Sequence, residues 1–153
     1  DVNLYITNVG FGEPVWRYEE GKVQQRLVAG EESRPVDFGE IVGVVNCWAW
    51  PFPEGFTVAR ELGISGNSRV SMGTAPEIWN VIMGVMVKVI PRTFWLNPTF
   101  SQGLATFSEP MVKLTDKFVG ETHAIRVDVR GESGAEAKAL QTHRSFRECV
   151  GQS

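Results

Sequence analysis

Few residues of this 153-residue chain can do chemistry, and their spacing narrows what that chemistry is. Gly10-Phe-Gly-Glu-Pro-Val15 opens like a G-x-G dinucleotide fingerprint. Such a fingerprint needs a third small residue for close helix–strand packing, and backbone N–H groups aimed at the pyrophosphate. Val15 stands at the third position, Pro14 has no N–H, and Trp16-Arg-Tyr18 reads as strand where the phosphate-facing helix belongs. The segment is read as a turn, and no G-x-x-x-x-G-K-[ST] phosphate loop occurs elsewhere, so no cofactor is assigned to this chain.

His123 and His143 are the only histidines. A hairpin symmetric about Ser133 places them opposite each other, with Glu121 two residues from His123. Zinc or a redox metal generally asks for three or four protein ligands with support behind them. Two imidazoles on a sheet surface are read as solvated, and no metal is assigned. Cys47 lies in an apolar strand and Cys149 at the start of a terminal helix; neither has a local base to make a thiolate, so both are read as structural. Glu19-Glu20 and Glu31-Glu32 fall in turn-like segments, where a solvated charge is the expected state. Trp48, Trp50, Phe52, Phe56, Trp79, Phe94, Trp95 and Phe100 concentrate in the middle of the chain. They serve either as core and interface or as the wall of a pocket.

The bulk properties exclude several classes of partner. With 15 basic and 18 acidic residues and a net charge of -3, the chain has no electrostatic footprint for a phosphate backbone, so nucleic acid is not expected. The most apolar stretch, Trp79 to Ile90, spans about a dozen residues against the ~20 of a bilayer-spanning helix, and it carries Lys88. Two distant cysteines fit a reducing compartment, and the location expected is cytoplasmic. The length suits one domain over residues 1–153. The start at Asp1 without an initiator Met, and the strand-like Asp1 to Val9, lead us to expect a piece of a longer protein.

These side chains must be positioned by elements that the patterning suggests. Val2, Leu4, Ile6 and Asn8 alternate like a first strand, broken by Gly10 and Gly12. Trp16–Tyr18 and Val23–Leu27 flank Gly21 as a hairpin, and Gly30 to Pro35 reads as loop. Glu40 to Trp50 is a buried strand stopped by Pro51 and Pro53. A short helix starts with Thr57 as N-cap, Asn67 to Gly73 is strand, and Thr74 caps a stronger helix with Pro76 in its first turn and Pro91 at its far end. In that helix Ile78, Ile82, Val85 and Met86 repeat at helical spacing. Thr93 to Phe100 reads as an aromatic loop. A second amphipathic stretch over residues 104–118 carries Phe107, Met111, Leu114 and Phe118 on one face, with Pro110 expected to split it near its start. Ala124–Arg130 alternates with period two, and Lys138 to Arg147 returns either as its hairpin partner or as helix. The fold class expected is α+β, a largely antiparallel or mixed sheet with helices on one face.

Several segments together resemble the non-Rossmann domain of the saccharopine dehydrogenase-like oxidoreductases. Phe11-Gly-Glu-Pro-Val-Trp-Arg-Tyr-Glu-Glu-Gly-Lys-Val23 is similar to the family's P-x-x-Y-x-x-G hairpin, and Ser33-Arg-Pro-Val-Asp-Phe38 to its E-x-V-D-F segment. Phe56 to Leu62, Lys113 to Gly120 and His123 to Gly131 follow in the family's order, and Glu148 to Ser153 looks like the helix returning to a nucleotide domain. The resemblance implies a substrate-binding and dimerisation domain, inserted in a larger enzyme that uses NAD or NADP, and inactive alone. It implies a homodimer and a small-molecule substrate, an amino acid or other acid. Substrate contacts would come from Asn46, Trp48, Trp50, Arg69 and Thr74. Gly73-Thr-Ala-Pro-Glu-Ile78 lacks the carboxylate-binding Arg of saccharopine reductases, so a substrate other than saccharopine is implied, with Arg69 or Arg92 available for a different acid. The alternative is an autonomous ligand- or protein-binding module with an aromatic-lined pocket; a purely structural dimerisation domain is a third reading.

Overall fold

The computed structural model describes residues 2–30, 32–120 and 122–144. Cys149, Glu121 and the helix start expected after Phe146 lie outside them. The described chain opens with a helix, not the expected strand. α1 (Val2–Gly10) brings Leu4, Asn8 and, just past its end, Phe11 to one side, a spacing of four and three residues that competes with the alternation of Val2, Leu4 and Ile6. Tertiary packing decides between the two periods, because α1 lies against the later helices α5 (Arg92–Trp95) and α6 (Pro98–Val119).

The strands form three small antiparallel sheets, and the class is α+β. β1 (Pro14–Glu19) and β2 (Lys22–Val28) make the expected hairpin. Its two-residue turn has positive φ at Glu20 (49°) and Gly21 (77°), the geometry that follows the right-handed twist of a hairpin. β3 (Ser33–Asp37) pairs with β4 (Val44–Ala49), and β4 with the short β5 (Ser71–Met72). Half of the expected loop from Gly30 to Pro35 is thus strand. Pro35 is tolerated there because β3 is an edge strand and needs donors on one side only. The expected strand from Glu40 begins instead with a helical turn, α2 (Gly39–Val42), and ends at Ala49 just before Pro51. Strand character between Asn67 and Gly73 is confined to β5 and a bridge from Ser68 to Tyr18.

Neither threonine expected as a cap starts its helix: α3 begins earlier than Thr57 suggested and α4 later than Thr74 did. α3 (Glu54–Glu61) begins after Pro53, and Thr57 is inside it, its hydroxyl donating to the Pro53 carbonyl at 3.0 Å. α4 (Glu77–Val89) follows Pro76, and the Thr74 hydroxyl donates to the Asn80 side chain instead of accepting from a helix N–H. The aromatic segment after Pro91 is helical: α5, then Asn97 as the N-cap of α6, accepting from Thr99 and Phe100 N–H with Pro98 in the first turn. Pro110 does not split α6; the helix runs through it, forgoing one backbone donor. β6 (His123–Arg130) and β7 (Glu136–His143) form the last hairpin, which settles the strand-or-helix choice for the return.

Phe11, Val15, Ala29, Ala49, Trp50 and Trp95 form the core. The Phe11 ring sits 5.0 Å from Trp50, nearly edge-on at 81°, and 5.1 Å from Trp95, favourable arrangements for ring quadrupoles. From α4 and α6, Met83, Met86, Val87, Ile90, Phe100 and Leu104 pack against it. This leaves apolar side chains exposed on the opposite face of α4, and on α6 the continuation of the core-facing stripe beyond Leu104. On α4, Ile78, Val81, Ile82, Val85 and Val89 are exposed; on α6, Phe107, Met111, Leu114, Phe118 and Val119 are, with Phe107 at 70% and Phe118 at 83%. Of the α4 residues that repeat at helical spacing, Met86 alone joins the core. The whole chain exposes 10166 Å², against about 7,700 Å² for a compact monomer of 17.0 kDa.

Candidate functional site

β4 divides the expected contact residues by its alternation. Val45, Cys47 and Ala49 are buried on one side, while Asn46 and Trp48 turn to the other, towards α4. Gly84 of α4 lets the two elements close: a methyl there would lie 3.2 Å from the Trp48 ring. Thr74 leaves β5 and enters the turn that precedes α4. Asn46 and Thr74 therefore meet in one neighbourhood at the start of α4, while Trp48 packs against its middle at Gly84.

The centre of that neighbourhood is Asn80, which is fully buried. Its amide N–H₂ donates to the carbonyls of Asn46 (3.2 Å) and Thr74 (2.9 Å) and to Glu77 Oε2 (3.1 Å). Its carbonyl oxygen accepts from Thr74 N–H (3.1 Å) and Thr74 Oγ1 (3.2 Å). Asn46 Nδ2 donates to the other Glu77 oxygen at 2.9 Å. Hydrogen bonds from Asn46 and then Asn80 hold the Glu77 carboxyl below its ordinary range, against a smaller opposing effect of burial. The result is a fixed, exposed carboxylate at the N-terminal end of α4, where negative charge also suits the helix dipole. An ammonium or other donor group fits it chemically. Sequence reasoning missed both Asn80 and Glu77. The signal was an Asn inside an otherwise apolar helix, since a buried polar residue needs partners.

The other two expected contacts are elsewhere. Trp50 is in the core between Phe11 and Phe52 and is almost wholly enclosed. Arg69 belongs to a cluster around Glu32: its Nη1 lies 3.8 Å from Glu32 Oε1, and Arg17 Nη2 donates to Glu32 Oε2. Arg34 sits directly opposite Cys47 in the sheet and is close enough to Arg69 to feel its charge. The hydrogen bond from Arg17 chiefly holds the Glu32 carboxyl low, burial opposes it, and the charges of Arg17, Arg69 and Arg34 add to the lowering. Burial, then Arg69, lowers the affinity of Arg34 for its proton. The three arginines outnumber Glu32 and Asp128, whose charge Arg34 also feels, and the cluster suits an anionic group. It joins β1, β3 and the approach to β5, segments too far apart in sequence for their spacing to reveal it. Arg92, the other candidate for an acid, donates from Nε to the Gly12 carbonyl at 2.5 Å and so ties α5 to the end of α1.

Cys47 is buried, and that burial pushes its thiol up, away from the thiolate a nucleophile needs. His123 and His143 are directly opposed in β6 and β7, in the register expected from the sequence. Among the described residues, no three or more His, Cys, Asp or Glu side chains gather as a metal site, and no helix is long and apolar enough to cross a membrane. A shallow open depression lies on the last hairpin between Arg126, Asp128, Arg130, Glu136 and Lys138. Compared with known proteins, the chain matches no family model, no curated protein and no solved structure.

Proposed function

We propose that this chain is the substrate-binding and dimerisation domain of a cytoplasmic, NAD(P)-dependent, saccharopine dehydrogenase-like oxidoreductase. The observation that carries the reading is the pair of exposed apolar faces on α4 and α6. A helix apolar on both sides, as α4 is, is ordinarily buried on both, and an apolar stripe that runs on past the core, as on α6, is ordinarily covered along its length. Each face leaves on the order of several hundred Å² of apolar surface in water, the size of patch that marks an interaction site, and together they approach the ~800 Å² per partner of a standard interface. A domain that pairs with a second copy and closes on a nucleotide-binding domain would cover them.

The polar neighbourhoods fit the substrate side of this reading. Glu77, fixed by Asn46 and Asn80, offers an acceptor to an amino group. The cluster of Arg17, Arg34 and Arg69 offers donors to an acid. An amino acid or related acid carries both charges. The nicotinamide would supply the hydride chemistry, and this domain would orient the substrate and exclude water.

The test is to read the coding sequence on both sides of codons 1 and 153. A frame that continues into a strand, a G-x-G-x-x-G turn and a helix supports the proposal. A start codon just before Asp1 with a stop just after Ser153 overturns it, as does micromolar binding of NADPH by the chain alone.

A further inference from the structure

The hairpin of β6 and β7 joins neither of the other sheets. A two-stranded ribbon on its own is marginally stable in water. Its ties to the rest of the molecule include Arg126, which donates to the Asp37 carbonyl, Ser65 Oγ, which donates to Glu132 at 2.9 Å, and Leu140, which lies against Gly39. The end away from the turn is its half-buried end, His123 to Arg126 in β6.

Both histidines of the chain are at that end, His123 as the first residue of β6 and His143 as the last of β7, directly paired. Paired residues of an antiparallel ladder point to the same face, with Cβ atoms about 4.5–5.5 Å apart. Two imidazoles at that separation can reach one metal ion at the ordinary nitrogen–metal distance of about 2.0–2.1 Å. A second observation comes from His143, whose Nε2 is buried with no hydrogen-bond partner. An orphan of this kind calls for a water or an ion.

We propose that His123 and His143 form a two-imidazole chelate for a borderline first-row divalent ion (Cu²⁺, Ni²⁺ or Zn²⁺) that clamps the open end of the hairpin. Imidazole suits these ions, whereas Mg²⁺ and Ca²⁺ require oxygen ligands. With no third ligand among the described residues, water fills the remaining positions, and affinity follows the general order in which Cu²⁺ binds most tightly. The clamp is independent of the function proposed above, because neither histidine belongs to the neighbourhoods of Glu77 or Glu32.

The test is calorimetric titration of the tag-free full chain with CuCl₂, NiCl₂, ZnCl₂ and, as control, MgCl₂, with paramagnetic resonance of the Cu²⁺ complex. The expected result is one Cu²⁺ per chain, two imidazole nitrogens in its spectrum, weaker Ni²⁺ and Zn²⁺, and no Mg²⁺ binding. His123→Gln and His143→Gln should each weaken Cu²⁺ at least tenfold, while Gln141→Ala, at the next pair on the same face, leaves it unchanged. Metal should slow amide exchange across β6 and β7 in the wild type only. No binding at millimolar metal overturns the proposal. So do wild-type affinity in either single histidine variant, a Cu²⁺ spectrum without imidazole nitrogen, and one ion shared by two chains.

Discussion

Exchanging Asn80 for Asp changes one atom and should unfold much of what positions the start of α4. The shape is conserved, so no cavity forms, and the oxygen that accepts from Thr74 remains. The bonds lost are those donated to the Asn46 and Thr74 carbonyls and to the Glu77 carboxylate. A neutral buried hydrogen bond contributes about 0.5–1.5 kcal/mol and one to a charged group about 1.5–3. The new carboxylate also faces Glu77. Asn80→Asp should therefore cost about 3–5 kcal/mol at pH 7, a large share of the 5–15 kcal/mol typical of a folded domain. Burial and Glu77 both raise the folded pKa of the introduced acid. Its penalty is then largest above that pKa and shrinks as the pH falls through it, because a protonated carboxyl can donate again. Urea unfolding followed by Trp fluorescence and far-ultraviolet dichroism gives both numbers. A loss under about 1 kcal/mol at pH 7 would refute the reasoning, as would a deficit that grows on acidification.

Gly73→Ala should destabilise by about 1–3 kcal/mol, since its methyl would lie 2.6 Å from the Asn46 carbonyl oxygen and 2.9 Å from Val45 Cγ1. Gly66→Ala meets nothing within 4 Å and should fall within about 0.5 kcal/mol of wild type in the same unfolding assay. Glu32 has a depressed folded pKa, so its contribution is present above the ordinary carboxylate value and is lost as the pH falls through the lower folded value. Acid titration of stability should show Glu32→Gln weaker than wild type near neutrality and converging with it in that acidic window, with a modest gap because Glu32 is partly solvated. In a Cys149→Ser background, the Cys47 thiol should react with a disulfide reagent only as fast as the chain opens; immediate labelling in the native state would contradict its burial.

Sequence patterning located elements better than it chose among them. The hairpin around Gly21, the stop at Pro51 and the pairing of His123 with His143 were all legible, because turn glycine, proline and strict alternation act locally. The first helix was not, since Leu4, Asn8 and Phe11 fit period 3.6 as well as Val2, Leu4 and Ile6 fit period two, and only α5 and α6 decide. Thr57 and Thr74 were plausible caps whose hydroxyls found carbonyl partners instead. Asn46 and Thr74 meet at Asn80 and Trp48 lies against the same helix, whereas Trp50 follows the strand into the core. The arginine cluster joins residues 17, 32, 34 and 69, and no spacing rule reaches across that separation. Helical periodicity on α4 and α6 was clear, but a periodic apolar stripe does not say whether the chain or a partner covers it.

The most direct measurement is sedimentation equilibrium of the chain with Leu114→Glu and Phe118→Glu on α6, and separately Val85→Glu on α4, over concentrations from about 1 to 100 μM. All of these positions are exposed in the single chain, so the variants should fold with wild-type melting temperatures. If the helix faces form the interface, the wild type associates to a dimer in this range, and charge on at least one face returns it to monomer. A wild type that is monomeric throughout, or a dimer that survives charge on both faces, would contradict the proposed role.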